Sequence, residues 1–151
     1  MRKALSVAEL GDLLERPFNA TLATYRRDGS VLLSPVWHEW RDGGFSIITS
    51  PDDVKIRHVQ RDGRAAAVVS DNDFPFRGIE VSCSPTIERD PSFGQQTFER
   101  IARRYLGDAA ARRYIARSGG GMVVIRMVAG TLRTWDFADD QELFGQAADQ
   151  T

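Results

Sequence analysis

Thr49, Ser50, Lys55 and Arg57 are the residues of this chain best typed and spaced to hold an anion. They fall in Thr49-Ser50-Pro51-Asp52-Asp53-Val54-Lys55-Ile56-Arg57-His58-Val59-Gln60-Arg61-Asp62-Gly63-Arg64, which reads as a strand end, a short helix and a turn. Hydroxyls and free N–H groups at a helix start donate to phosphate oxygens. Lysine adds a point charge and arginine a planar fork. Lys55 is one of only two lysines in a chain with eighteen arginines; the other, Lys3, lies near the N-terminus. Asp52 and Asp53 restrict the geometry, because carboxylates in the first turn repel an anion placed on the helix axis. Lys55 and Arg57 are two apart and do not share a helix face. A phosphate must therefore sit beside the helix, reached by long side chains. The competing reading is a capped, solvated surface helix, and spacing alone does not choose between the two.

Ser34-Pro35-Val36-Trp37-His38-Glu39-Trp40 is a second candidate. A strand bent at Pro35 exposes main-chain groups that can meet the edge of a ring, and Trp37 and Trp40 offer flat apolar surface. Core or interface tryptophans are the alternative. His38 and His58 are the only histidines, with no cysteine near either and no metal-type spacing, so a metal site is not expected. No Gly-x-Ser-x-Gly elbow supports a serine hydrolase. Cys83, the single cysteine, lies in an apolar strand pattern and reads as an inert thiol. The arginines at 100, 103, 104, 112, 113 and 117 read as a solvated helical face, or else as a surface for an acidic ligand.

These residues must be positioned by the surrounding elements. Ser6 to Arg16 reads as a helix, capped by Ser6 with Glu9 in the capping-box position and with Val7, Leu10, Leu13 and Leu14 as its stripe. Pro17 stops it. Asn19 to Tyr25 and Val31 to Trp40 flank an Asp28-Gly29 turn and read as a hairpin, with Pro35 at an edge, bulge or bend. Asp42-Gly43-Gly44 turns into Phe45 to Thr49. A helix over Pro51 to Gln60, with Ser50 as its cap, follows. Arg64 to Ser70 and Gly78 to Glu88 read as strands, and Pro91 to Leu106 and Asp108 to Arg117 as helices. After a glycine break at Gly119-Gly120-Gly121, Met122 to Phe137 is one long strand or two bent near Gly130. Strands in hairpins with helices inserted late imply a mainly β, antiparallel barrel with peripheral helices, not a doubly wound sheet.

At 151 residues the chain is expected to form one domain over 1–137, burying about two-thirds of its unfolded surface, followed by a loose acidic tail over 138–151. Its 42% hydrophobic and 27% charged residues are ordinary for a soluble protein. A net charge of −1 makes no case for nucleic acid, and no apolar run approaches membrane-spanning length. Met1 to Ser6 leads to Glu9 and Asp12 without a long apolar core, so no secretory signal is read there. With one cysteine and no internal disulfide, a cytoplasmic location is expected.

In this order the segments "NATLATYRRDGSVLLSPVWHEW" and "GGFSIITSPDDVKIRHVQRDGRAAAVV" resemble the pyridoxamine 5′-phosphate oxidase-like split β-barrel family, and within it the small branch that uses the deazaflavin F-420. The resemblance runs from about Ser6 to Trp135, and "KIRHVQRDGR" is its most specific part. It implies a six-stranded antiparallel split barrel and a homodimer with two cofactor sites at the interface. Thr49, Ser50, Lys55 and Arg57 would hold the cofactor phosphate. Pro35, Val36 and Trp37 would run along the tricyclic ring, and Trp135 would reach over from the second subunit. The implied reaction moves a hydride from reduced F-420 to an unsaturated or conjugated small-molecule acceptor, with no catalytic side chain named. The alternatives are an FMN-dependent oxidoreductase, or a non-catalytic protein that binds a flavin, haem or tetrapyrrole.

Overall fold

The computed structural model describes residues 1–144. Among these, ten strands form two antiparallel sheets. The six-stranded sheet has the order β1-β10-β7-β6-β2-β3: Arg2–Lys3, Thr131–Asp136, Gly78–Cys83, Ala65–Ser70, Ala20–Tyr25 and Val31–Val36. The four-stranded sheet has the order β4-β5-β9-β8: Glu39–Arg41, Gly44–Thr49, Val123–Val128 and Thr86–Glu88.

The two sheets are joined by chain that leaves one and enters the other. β3 passes to β4, β7 to β8, and β9 to β10. Two segments expected as single strands, Val31 to Trp40 and Gly78 to Glu88, are therefore bent pairs, and Met122 to Phe137 takes the two-strand alternative, broken at Ala129-Gly130. With each pair taken as one strand, six strands build the split barrel, and β1 adds to its edge. Side chains alternate along β2 and β6, with Ala20, Leu22, Ala65, Ala67 and Val69 inward. Phe45 and Ile47 of β5 and Ile125 and Met127 of β9 close the core from the other sheet.

Several local expectations are met. Gly29 takes φ 84° in the β2–β3 turn. Pro35 lies on the edge strand β3 opposite Thr21, where its missing N–H costs no ladder bond. Helix α2, Pro91–Leu106, starts at Asp90, whose carboxylate accepts from the Phe93 N–H, and α3 spans Asp108–Arg117.

Two expectations are corrected. The N-terminal segment is a 3₁₀ turn over Ala8–Leu10 rather than a helix to Arg16. The Ser6–Glu9 capping box forms, with Ser6 N–H to Glu9 at 2.7 Å and Glu9 N–H to Ser6 Oγ at 3.3 Å. Gly11 then adopts φ 62°, ψ −129°, and the chain turns away while Leu10, Leu13 and Leu14 still bury. Helix α1 is Val54–Asp62 and not Pro51 to Gln60. Its cap is Asp53 rather than Ser50: the Asp53 carboxylate takes the Lys55 N–H at 2.8 Å. Aspartate presents its oxygen to the first-turn amides as well as serine does and adds charge that complements the helix dipole.

Of the segment expected to be loose, residues 138–140 form a 3₁₀ turn and Gln141–Phe144 one helical turn. The Phe144 ring packs 5.5 Å from Phe76 and 5.9 Å from Phe137. Residues 145–151 lie outside the described residues.

Candidate functional site

Between the end of β5, the start of α1 and the β3–β4 bend lies a cleft of about 310 Å³. Thr49 and Lys55 form its polar end. Pro35, Val36 and Trp37 form one apolar wall, and Phe98, Ile101, Tyr114 and Met122 face them. Thr49, Lys55, Pro35, Val36 and Trp37 thus come together from two stretches of sequence. Ser50 and Arg57 stand apart from this lining. Ser50 is exposed, and Arg57 lines the next groove, where its Nη1 donates to the Asp52 carbonyl at 3.0 Å.

The polar end carries its own counter-charge. Lys55 Nζ is 2.9 Å from Asp53 Oδ2. Burial pushes the Asp53 carboxyl up, but the Lys55 N–H, the Lys55 ammonium and the Thr49 hydroxyl outweigh it and hold the group below the usual carboxylate range. Asp53 therefore gathers the donors that an incoming phosphate would use. An anion must share or displace that carboxylate to bind.

The apolar wall is rigid on one side. Trp37 stacks on Tyr105 with centroids 4.9 Å apart and planes 6° from parallel. The Tyr105 hydroxyl accepts from the His38 N–H at 3.1 Å and donates to the Phe18 carbonyl at 2.7 Å. Next to Tyr105, the Arg104 guanidinium donates to the carbonyls of Leu14, Glu15 and Arg16. The end of α2 is thus tied to the N-terminal segment behind Trp37.

A larger groove of about 780 Å³ lies on the other side of α1. Arg26 and Arg27 reach it from the β2–β3 hairpin, Arg57 and Arg61 from α1, with Leu32, Val54, His58 and Gln60 completing its lining. Among the described residues no carboxylate lines it. Arg26 Nη1 donates to the Val31 carbonyl at 2.8 Å, and Arg61 to the Tyr25 carbonyl. Main-chain acceptors orient these guanidiniums without neutralising them. Burial, followed by Arg61, Arg26 and Arg57, lowers the pKa of His58, whose Nδ1 lies 3.0 Å from Thr24 Oγ1.

Neither histidine stands open. His38 is fully buried with no hydrogen bond to either ring nitrogen, and burial followed by the Arg104 charge lowers its pKa to about 4. Burial raises the pKa of the Cys83 thiol. Among the described residues no group of three or more His, Cys, Asp or Glu is placed to hold a metal ion, and no helix is long and apolar enough to cross a membrane.

The cleft thus has a polar end at Thr49 and Lys55 and an apolar end at Pro35, Val36 and Trp37. Residues 7–136 match the family model described as pyridoxamine 5′-phosphate oxidase. The chain belongs to the pyridoxamine 5′-phosphate oxidase-like family. Among solved structures, it is 24% identical to a conserved hypothetical protein from Mycobacterium tuberculosis, covering 89% of this chain and 87% of the other, with a TM-score of 0.77. It is 25% identical to a protein titled F420 reductase, covering 80% and 93%, with a TM-score of 0.64. The heme storage protein of Vibrio cholerae shares the fold at 14% identity, covering 83% and 92%, with a TM-score of 0.63. No curated protein matches the chain.

From the sequence, the loop Asp71 to Arg77 and the helices from Pro91 to Arg117 are expected to shape the acceptor pocket. The helices supply Phe98, Ile101 and Tyr114, which the sequence does not single out for it; the loop does not line this cleft, and Met122 is not foreseen. Phe98 and Ile101 read as the core stripe of α2, and they are indeed 3% and 2% exposed while also closing the wall. The Arg26-Arg27 doublet and the i, i+4 pair Arg57 and Arg61 were the available signs of the basic groove.

Proposed function

We propose that this protein is an F-420-dependent oxidoreductase acting as a homodimer on an unsaturated or conjugated small molecule. The observation that carries this reading is the polarity of the cleft, with Thr49 and Lys55 at one end and Pro35, Val36 and Trp37 at the other. A ribityl phosphate would be held at the first end and a tricyclic ring laid along the second. The family match and the likeness to a protein titled F420 reductase support it.

F-420 and FMN share the ribityl phosphate, so the polar end does not distinguish them. The groove of four arginines does favour one, because F-420 carries an acidic oligoglutamyl tail and FMN does not. That groove flanks α1, and β3 contributes to both, with Leu32 lining the groove and Val36 the cleft. Haem, by contrast, needs an open axial ligand; His38 is fully buried, and His58, although it lines the arginine groove, is 5% exposed with its Nδ1 against Thr24.

When bound, the reduced deazaflavin supplies the hydride. The chain's own contribution is binding and orientation. Lys55 and Thr49 fix the phosphate, and the rigid Trp37–Tyr105 stack fixes the plane against which the ring lies. No side chain at the apolar end is a ready acid, which leaves solvent to protonate the reduced acceptor.

Titrating the protein with F-420 and with FMN, read by fluorescence quenching, tests the reading. The expected result is saturable binding with preference for F-420, followed by oxidation of reduced F-420 when conjugated acceptors are added. Equal or tighter FMN binding would move the assignment to the flavin. Failure of both to bind would remove it.

A further inference from the structure

Three of the four aromatic residues around the ring end of the cleft are held fast. Trp37 stacks on a Tyr105 that is hydrogen-bonded on both sides, and Phe98 is buried in α2. Tyr114 differs. It is 44% exposed, yet its ring lies 5.9 Å from Trp37 and 5.7 Å from Phe98. It rides on α3, whose only buried residue is Ala111. Glycines adjoin both ends of that helix: Gly107 at φ 74° before it, and Gly119, Gly120 and Gly121 at φ 71°, 73° and 75° beyond Ser118. Beyond the glycine run the chain is pinned again, because a Cβ on Gly94 would stand 2.5 Å from the Met122 carbonyl oxygen, so tightly does α2 approach the chain just before β9. α3 lies along α2, with Ala110 and Ile115 half-buried, but it buries only Ala111 fully and stands between glycine joints, so its packing is the weakest around the cleft.

We propose that α3 is a hinged wall and that Tyr114 sets the ring specificity of the cleft by closing on a planar fused ring seated against Trp37. The inference rests on the cofactor reading above and adds a selecting residue to it. A flat ring seated against Trp37 gains the edge of the tilted Tyr114 ring when α3 closes, with its outer face left to the acceptor, whereas a ligand with the same phosphate and no ring has nothing to hold the wall shut. The phosphate end gives affinity, and the movable tyrosine reads planarity.

Two ligands separate the ends: F-420, and ribitol 5-phosphate, which carries the anion without the ring. Affinity of wild type and Tyr114→Ala for F-420 would be read by fluorescence quenching, and that of ribitol 5-phosphate by competition. Hydrogen exchange over residues 108–117 would be followed with each ligand. The expectation is that Tyr114→Ala weakens F-420 by about tenfold. Ribitol 5-phosphate binding should be unchanged, and Tyr114→Phe should rescue the F-420 loss. In wild type, F-420 and not ribitol 5-phosphate should slow exchange in α3. Unchanged F-420 affinity in Tyr114→Ala overturns the proposal, as does a parallel loss for both ligands or α3 exchange indifferent to F-420. If wild type binds F-420 normally in those cases, the cofactor reading stands. If wild type binds no ring ligand at all, both fall together.

Discussion

Lys55 and Asp53 decide how this site handles an anion. Removing Lys55 deletes the one ammonium at the cleft and leaves Asp53 uncompensated, so Lys55→Ala is expected to weaken cofactor binding by about 1–3 kcal/mol in the same titration. Asp53→Asn should do the opposite. Asparagine caps a helix about as well as aspartate, so the melting temperature should hold, while the freed Lys55 charge should tighten phosphate binding severalfold. Weaker binding in Asp53→Asn would mean that the carboxylate orients Lys55 rather than competing for it. His38 carries a separate prediction. Its pKa is about 4 in the fold and near 6.5 when unfolded, so below pH 6.5 the unfolded chain takes up a proton that the folded one refuses. Stability from this group is therefore complete above pH 6.5, falls as pH drops to 4, and levels off below, a loss of about 3 kcal/mol. Urea unfolding across that range should show the loss in wild type. The His38→Leu variant should lack it, and the difference between the two isolates His38 from the carboxylates that titrate nearby.

At the scale of elements, the site depends on chain crossing between sheets. Gly44 opens β5 against β9, and a Cβ there would stand 2.2 Å from the Met127 carbonyl oxygen and 2.8 Å from the Val128 Cα. Both are backbone atoms of a paired strand and cannot swing aside. Gly44→Ala should cost at least about 1–3 kcal/mol, read as a drop in the urea midpoint at unchanged slope. Local signals for such elements were legible. The Asp28-Gly29 turn, the Asp62-Gly63 turn and both late helices could be read directly, because each depends on residues a few positions apart. The N-terminal helix was misjudged for a related reason. The apolar stripe of Leu10, Leu13 and Leu14 is genuine, but burial in the core, not helical hydrogen bonding, satisfies it once Gly11 turns the chain. The cap of α1 was misplaced because Ser50 and Asp53 are both good caps, and only backbone geometry chose.

At the scale of the whole molecule, β3 is an edge strand that leaves Val31 42% and Leu33 64% exposed. An apolar edge beside an open cleft invites a second copy. In the proposed homodimer, Leu33→Glu should shift the protein toward monomer in sedimentation velocity and weaken F-420 binding with it. A wild type already monomeric at working concentration would remove the dimer from the reading.

The order of strands, turns and helices, the family and the neighbourhood of Thr49 and Lys55 followed from the amino-acid sequence, because neighbours in the chain stay neighbours in the fold. The two-residue spacing of Lys55 and Arg57 already put them on different helix faces, but tertiary structure alone set Tyr114 against Trp37 and joined the hairpin arginines 26 and 27 to arginines 57 and 61 of α1. Those meetings depend on how two sheets pack and where three strands bend. The burial of side chains far apart in sequence decides that, and no local pattern encodes it.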